Sequence, residues 1–141
     1  MKNVIWYGRC LLPSFTLGFL VWALAQSPYV AHLVGPMWNG GFLAAYMLAM
    51  ISSGVVCGFL APKGFWFLLP LASFTGQTLA AALSYGLEPE PLLVIEIQFI
   101  ALFSTFNLLG VLLGISLNEV VVNIYKLEKQ RHRYVQLNIR H

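Results

Sequence analysis

One uninterrupted stretch decides the fold: LLVIEIQFIALFSTFNLLGVLLGISLNEVVVNIY, residues 92–125. It contains no proline, while Pro89 and Pro91 stand just before it, as is usual at a helix start. At about 1.5 Å per residue such a helix is roughly 50 Å long, whereas the hydrocarbon core of a bilayer is roughly 30 Å thick. The stretch therefore predicts a helix that crosses a membrane and continues beyond it.

One face of this predicted helix differs from the others. At about 100° per residue, a carboxylate, two amides and two glycines fall within about 40° of one line. The residues on this line are Glu96, Phe103, Asn107, Gly110, Gly114 and Asn118. Because a helix surrounded by lipid needs no polar face, we predict that this face contacts other helices of the protein.

The composition favours a membrane protein. Of 141 residues, 59% are hydrophobic and 9% are charged, and the mean hydropathy is +0.76. Soluble domains carry roughly 25% charged residues, so the chain lies outside that class. The net charge of +3 is small, and the basic residues border apolar segments, which argues against a nucleic-acid partner.

The predicted fold is all-α: a polytopic membrane protein with a four-transmembrane-helix bundle in residues 1–125 and a basic cytoplasmic tail in residues 126–141. A loop with Pro28, Gly35 and Pro36 is expected between the first two spans, over residues 26–37. The spans are expected at about 4–25, 38–61, 65–86 and 92–118, with the last helix continuing to about 125.

Charge predicts the topology. If four spans are drawn, all eight lysines and arginines fall on one side. The positive-inside rule then places both termini in the cytoplasm, most simply at a bacterial inner membrane. All four tryptophans lie near span ends, as in interfacial belts: Trp6, Trp22, Trp38 and Trp66.

The first span also fits a secretory signal peptide. It has a basic start, an apolar run over residues 11–24 and the small-residue pattern Ala23-Leu24-Ala25. We favour retention of the span, because Trp6 and Trp22 bracket a full membrane crossing. Cleavage stays the alternative.

Small residues recur at helical spacing in three spans and predict close helix packing, either within the bundle or against another chain. In the second span small residues stand four apart, and a GxxxG pair lies beside them. The third span also has small residues four apart, and the fourth span has another GxxxG pair. The predicted packing residues are Gly41, Ala45, Ala49, Ser53, Gly54, Gly58, Ala72, Gly76, Ala80, Gly110 and Gly114.

Four polar residues form a predicted intramembrane site: Glu96, Asn107, Gln98 and Gln77. Glu96 is either a proton or cation site or a partly hydrated carboxylate near the headgroups. Gln77 and Gln98 lie at similar depths on the third and fourth spans, so a hydrogen bond between them is predicted.

The tail is expected to contact lipid headgroups or a partner. Its basic residues include Lys126, Lys129, Arg131 and Arg133, and each is worth about 1 kcal/mol toward an anionic leaflet. Val135, Leu137 and Ile139 alternate with polar residues, which also fits a strand added to the edge of a partner's sheet.

No enzyme signature occurs in the sequence. There is no HExxH, GxSxG or phosphate-binding loop, the chain has no aspartate, and its two cysteines form no CxxC pair. We therefore predict a non-enzymatic protein with no metal and no cofactor.

Phe103-Ser104-Thr105-Phe106, followed by Asn107-Leu108-Leu109-Gly110, resembles two pieces of the small four-span fluoride channels. In that family the pieces lie on different helices and in the other order, and the match covers under a tenth of this chain. It assigns no family.

The favoured function is an accessory or regulatory subunit that packs against a larger membrane partner through its small-residue helix faces. The alternative is a small oligomeric transporter or channel, with its polar site at Glu96 and Asn107. The expected partners are the bilayer, anionic lipid at the tail, and another membrane protein or a second copy of the chain.

Overall fold

The computed structural model describes residues 2–34, 39–61, 66–85 and 91–138. Their regular structure consists of five helices: α1 (Lys2–Ala25), α2 (Pro28–Val34), α3 (Gly40–Leu60), α4 (Leu68–Tyr85) and α5 (Pro91–Asn138). These ranges contain no strand, so the all-α prediction is confirmed. Two of the described helices are long and apolar enough to cross a membrane, at Gly40–Leu60 and Ile95–Arg131. Shorter apolar segments lie in α1 and α4, at Cys10–Ala25 and Leu68–Ser84.

A short helix, α2, lies where a loop was predicted. Pro28 is its first residue, a position where the missing N–H breaks no helical hydrogen bond. The Val30 amide donates to the Ser27 hydroxyl at 3.4 Å and to the Ser27 carbonyl at 3.2 Å, which caps the helix start. The loop prediction was wrong because proline was counted only as a helix breaker.

The last helix does not end near residue 125 but continues to Asn138. No glycine or proline follows Gly114 in the sequence, and Lys, Glu, Gln and Arg favour helix. The described part of the tail is thus helical, and residues 135–138 do not form the extended strand considered above. Ile139 lies outside the described residues.

The four long helices pack in two parallel pairs. The most extensive contacts join α3 to α5 and α1 to α4, whereas α3 and α4 barely touch. Ser14 of α1 donates to the Leu69 carbonyl at 2.7 Å, and Gly18 lies against Ser73, so residue numbers rise together along both helices. Each pair therefore consists of helices that run in the same direction.

Contacts between the pairs are antiparallel and form two buried clusters. At one end of the bundle Trp22 packs with Tyr46, and Ala80 packs in the same cluster as Ile100. At the other end lie Cys57, Leu69 and Val111, with Cys10 against them. The beginning of α1 and the part of α5 that follows Val111 are therefore at the same end of the bundle.

Candidate functional site

Glycines bring α3 and α5 into backbone contact. Gly54 and Gly58 face Gly110 and Val111 across a gap that no side chain can enter. A Cβ added at Gly58 would lie 2.8 Å from the Cα of Val111, a distance that real side chains essentially never show. Gly114 is equally close to the α3 backbone. Both GxxxG pairs predicted from the sequence are thus used inside the bundle.

Glycines also bring the second helix pair, α1 and α4, into close contact. A Cβ at Gly18 of α1 would overlap Ser73 of α4, and a Cβ at Gly76 would overlap the α1 backbone. Ala80 is buried and Ala72 half-buried on the same helix. The small-residue stripe of α4 therefore also packs within the chain.

The stripe of α3 has two parts with different surroundings. Ser53 and Cys57 are buried against other helices. Gly41 is exposed, and Ala45 and Ala49 are half-buried at the wall of a cavity. Only the second half of this stripe, together with Gly54 and Gly58, makes the predicted helix contact.

The polar face predicted for α5 is its buried face. Glu96, Phe103 and Asn107 are 5%, 6% and 1% exposed, whereas Ile95 and Leu102 on other faces are 53% and 62% exposed. The helical periodicity therefore identified the correct side, because the glycines on it admit close neighbours that larger side chains would keep away.

Asn107 joins α5 to α3. Its Nδ2 donates to the Met50 carbonyl at 3.1 Å and to the Ser53 hydroxyl at 3.0 Å. Its Oδ1 is buried and has no hydrogen-bond donor among the described residues. Farther along the same face, Asn118 Nδ2 donates to the Phe59 carbonyl at 2.9 Å. Both asparagines thus hold the two helices in register.

Gln77 is fully buried and joins α4 to α3. The Tyr46 hydroxyl donates a hydrogen bond to its Oε1. Its Nε2 donates to the Ser73 carbonyl at 3.3 Å and to the Ser73 hydroxyl at 3.4 Å. Both ends of the amide therefore have partners inside the protein.

The predicted hydrogen bond between Gln77 and Gln98 is not formed. Gln98 is exposed on the outer side of α5, while Gln77 points into the bundle and bonds to Tyr46 and Ser73. Similar depth was the basis of that prediction, but depth does not specify the rotation of a helix about its axis. Gln98 is not part of the buried polar site.

Glu96 lies beside a group of rings that we name the aromatic cluster: Trp22, Phe42, Tyr46, Phe99 and Phe103. The ring centroids of Phe99 and Phe103 are 4.2 Å apart, and those of Tyr46 and Phe103 are 5.3 Å apart. The Glu96 carboxylate also acts electrostatically on Tyr46. This arrangement places an acidic group next to a phenol in an apolar setting, where a proton or a cation would neutralise the carboxylate.

Trp22 was predicted to lie at the membrane interface, but it is fully buried within the aromatic cluster, against Tyr46 and Phe99. Neither Trp22 nor Tyr46 was predicted to be part of the site. The aromatic pairs Phe42/Tyr46 and Phe99/Phe103, each four residues apart, were the signal in the sequence that indicates this cluster.

The basic residues of α5 form a separate group beyond the bundle. Lys126, Lys129 and Arg131 are exposed. Arg133 lies in α5, but its side chain lies outside the described part of the structure. Within the described ranges, no group of three or more His, Cys, Asp or Glu side chains is arranged to hold a metal ion.

Comparison of the chain with protein-family models, curated proteins and solved structures gives no match. A function therefore has to be inferred from the geometry of this molecule.

Proposed function

We propose that the chain crosses a bacterial inner membrane four times, with both termini in the cytoplasm. The distribution of side chains supports this placement. Leu48, Leu71 and Leu102, on three different helices, are 65%, 56% and 62% exposed, while Gln77 and Asn107 are buried. Soluble monomers rarely expose so much contiguous apolar surface, whereas lipid tails cover it readily.

Within that membrane we propose a non-enzymatic accessory subunit that binds a partner protein. The observation that carries this proposal is the exposed end of α5; we name residues 119–138 the α5 extension. Asn118 makes a hydrogen bond to the Phe59 carbonyl near the end of α3. Every side chain described after Asn118, through Arg131, is exposed. At about 1.5 Å per residue the extension projects roughly 30 Å from the bundle.

The α5 extension carries large apolar side chains that are exposed in the described structure. Its exposed large apolar residues are Val120, Val121, Val122, Ile124, Tyr125 and Leu127. Fully burying one Val, Leu or Ile side chain is worth about 1.5–3 kcal/mol, so a partner that covers several of them gains appreciable affinity. Lys126 and Lys129 beside them add contacts to acidic groups of that partner or to anionic headgroups.

The proposed docking surface, the α5 extension, differs from the surface that the sequence predicted. The small-residue faces were expected to receive a larger membrane partner. Gly54, Gly58, Gly76, Gly110 and Gly114 instead face helices of the same chain, so those faces are already occupied. The α5 extension, in contrast, is exposed in the described structure through Arg131.

Affinity purification in mild detergent tests the proposal, with the tagged parent compared with Ile124→Glu and with the control Asn123→Gln. We expect a stoichiometric protein partner with the parent and the control, and its loss with Ile124→Glu. If the same variant instead abolishes a homodimer, the partner is a second copy. A monomer without any bound protein would contradict the proposal.

A second candidate function, transport, is favoured by the buried acid. Glu96 is 5% exposed within a helix proposed to cross the membrane, and Asn107 lies deeper on the same face with its Oδ1 without a donor among the described residues. Buried intramembrane acids commonly bind protons or cations. Reconstitution into vesicles tests this alternative: it predicts an ion or proton flux that disappears in Glu96→Gln and persists in Gln98→Leu, the exposed neighbour.

A further inference from the structure

A row of exposed apolar side chains runs along α5 from the bundle into the α5 extension. Its members are separated by four, three, four and three residues, which is the 3.5-residue repeat of a coiled coil. Each of them is between 51% and 66% exposed. We name this row the α5 seam; its members are Leu113, Leu117, Val120, Ile124 and Leu127.

The spacing of the α5 seam indicates contact with another helix. A helix that faces only lipid needs apolar side chains but no particular repeat, whereas a 3.5-residue repeat lets two helices wrap around each other and interlock their side chains. The next position of the repeat is Arg131, which is charged and exposed, so the seam ends at Leu127. At about 1.5 Å per residue the seam is roughly 20 Å long.

Whatever covers the whole α5 seam must extend across the end of the bundle. Asn118, which bonds to the Phe59 carbonyl near the end of α3, divides the seam into a part beside the bundle and a part beyond it. In the proposed topology, lipid tails would cover only the first part and a soluble protein only the second. A helix that covers both parts has to leave the membrane at the same level as α5, and the α5 helix of a second copy does so.

The residues beside the α5 seam permit two identical helices to pair. Two copies with the same orientation in the membrane place their α5 helices parallel, with the seams in register. Five residues flank the seam at the sides of such a contact, and only Glu128 among them is charged; they are Ser116, Val121, Asn123, Glu128 and Gln130. Lys126 and Lys129 lie on the outer side of the helix, so like charges do not meet before Arg131.

We propose that two copies of the chain pair in parallel along the α5 seam, so that the partner of the α5 extension is a second copy. This inference rests on the proposed function, because it names the partner that the extension binds, and on the proposed membrane location. Each seam residue packs against the same residue of the other copy, across a two-fold axis along the membrane normal. Lys126 and Lys129 of both copies stay exposed toward anionic headgroups.

Cysteine cross-linking along α5 tests the inference. Single cysteines are introduced in a background without the two native cysteines, and the membranes are treated with a mild oxidant. The seam variants are Val120→Cys, Ile124→Cys and Leu127→Cys, and the controls on the outer side of the helix are Val122→Cys and Lys129→Cys. We expect at least about fivefold more covalent dimer from each seam variant than from either control. Equal cross-linking at all five positions, or no dimer at the seam positions, would overturn the inference.

Co-purification of two differently tagged copies in mild detergent is the second measurement. We expect Ile124→Glu in both copies to reduce the recovery of the second tag at least about tenfold. Val122→Glu places the same charge on an exposed apolar residue outside the seam and should leave the recovery within about twofold. Ile124 and Val122 are 58% and 43% exposed, so neither variant disturbs the interior of the bundle.

The same experiment separates this inference from the proposed function. If the two tagged copies do not co-purify, but a different protein is bound by the parent and lost with Ile124→Glu, the inference is wrong and the proposed function stands. If no protein of either kind co-purifies, both are wrong.

Discussion

At the scale of single residues, the molecule depends on positions where a side chain has no room. Gly58 is such a position, because a Cβ there would overlap the backbone of α5. Gly8, in α1, has nothing within 4 Å of an added Cβ and is exposed. The two glycines therefore form a matched pair for mutation.

We predict that Gly58→Ala destabilises the bundle by about 1–3 kcal/mol, because α3 and α5 must move apart. Gly8→Ala should leave stability unchanged or raise it by up to about 1 kcal/mol, since alanine favours helix. Thermal unfolding in detergent measures both. An equal melting temperature for the two variants would show that the close contact between α3 and α5 is absent.

The hydrogen bond between Tyr46 and Gln77 offers a second prediction at this scale. Unfolding of Tyr46→Phe, Gln77→Leu and the double variant forms a double-mutant cycle. We expect a coupling of about 0.5–2 kcal/mol, the range for interhelical hydrogen bonds in membranes. Gln98→Leu, combined with Tyr46→Phe in a parallel cycle, should show no coupling, because Gln98 is exposed on the far side of α5.

These polar contacts also show what the sequence could not specify. Periodicity identified Glu96 and Asn107 as buried, because the glycines on the same face fix which side of α5 packs. The partner of Gln77 depends on how α3 and α4 are rotated against each other. Sequence spacing contains no information on that rotation, so Gln98 was chosen by depth instead of Tyr46.

At the scale of helices, α5 behaves as two segments. Its first part is packed against α3 and α4. In its second part, the α5 extension, the described side chains from Glu119 through Arg131 are exposed. The sequence predicted the first part well. It predicted the helix only to about residue 125, because the charged segment from residue 126 was expected to be a tail instead of a continuous helix.

We predict that a chain truncated after Lys126 keeps the thermal stability of the full chain in detergent, because the described side chains that it removes, residues 127–131, are exposed. The same truncation should reduce the helical circular dichroism signal by the contribution of about 12 residues, from 127 to the end of α5 at Asn138. A large drop in melting temperature would mean that the extension folds back onto the bundle.

At the scale of the whole molecule, the two parallel helix pairs agree with a chain whose successive long helices run in opposite directions. If α1, α3, α4 and α5 cross the membrane in turn, α1 and α4 run in one direction and α3 and α5 in the other. That is the pairing that the contacts around Gly18 and Gly58 require. The sequence predicted the number of spans from charge and hydropathy, but which helices pair depends on side-chain fit that no pattern of spacing reports.

The placement of the two ends relative to the membrane tests this account most directly. In a background without Cys10 and Cys57, single cysteines are introduced at Lys2, Ser27 and Lys129 and exposed to a membrane-impermeant maleimide in intact spheroplasts. We predict labelling of Ser27→Cys in intact spheroplasts, and of Lys2→Cys and Lys129→Cys only after the membrane is permeabilised. Labelling of one chain end but not the other in intact spheroplasts would contradict the four-span bundle.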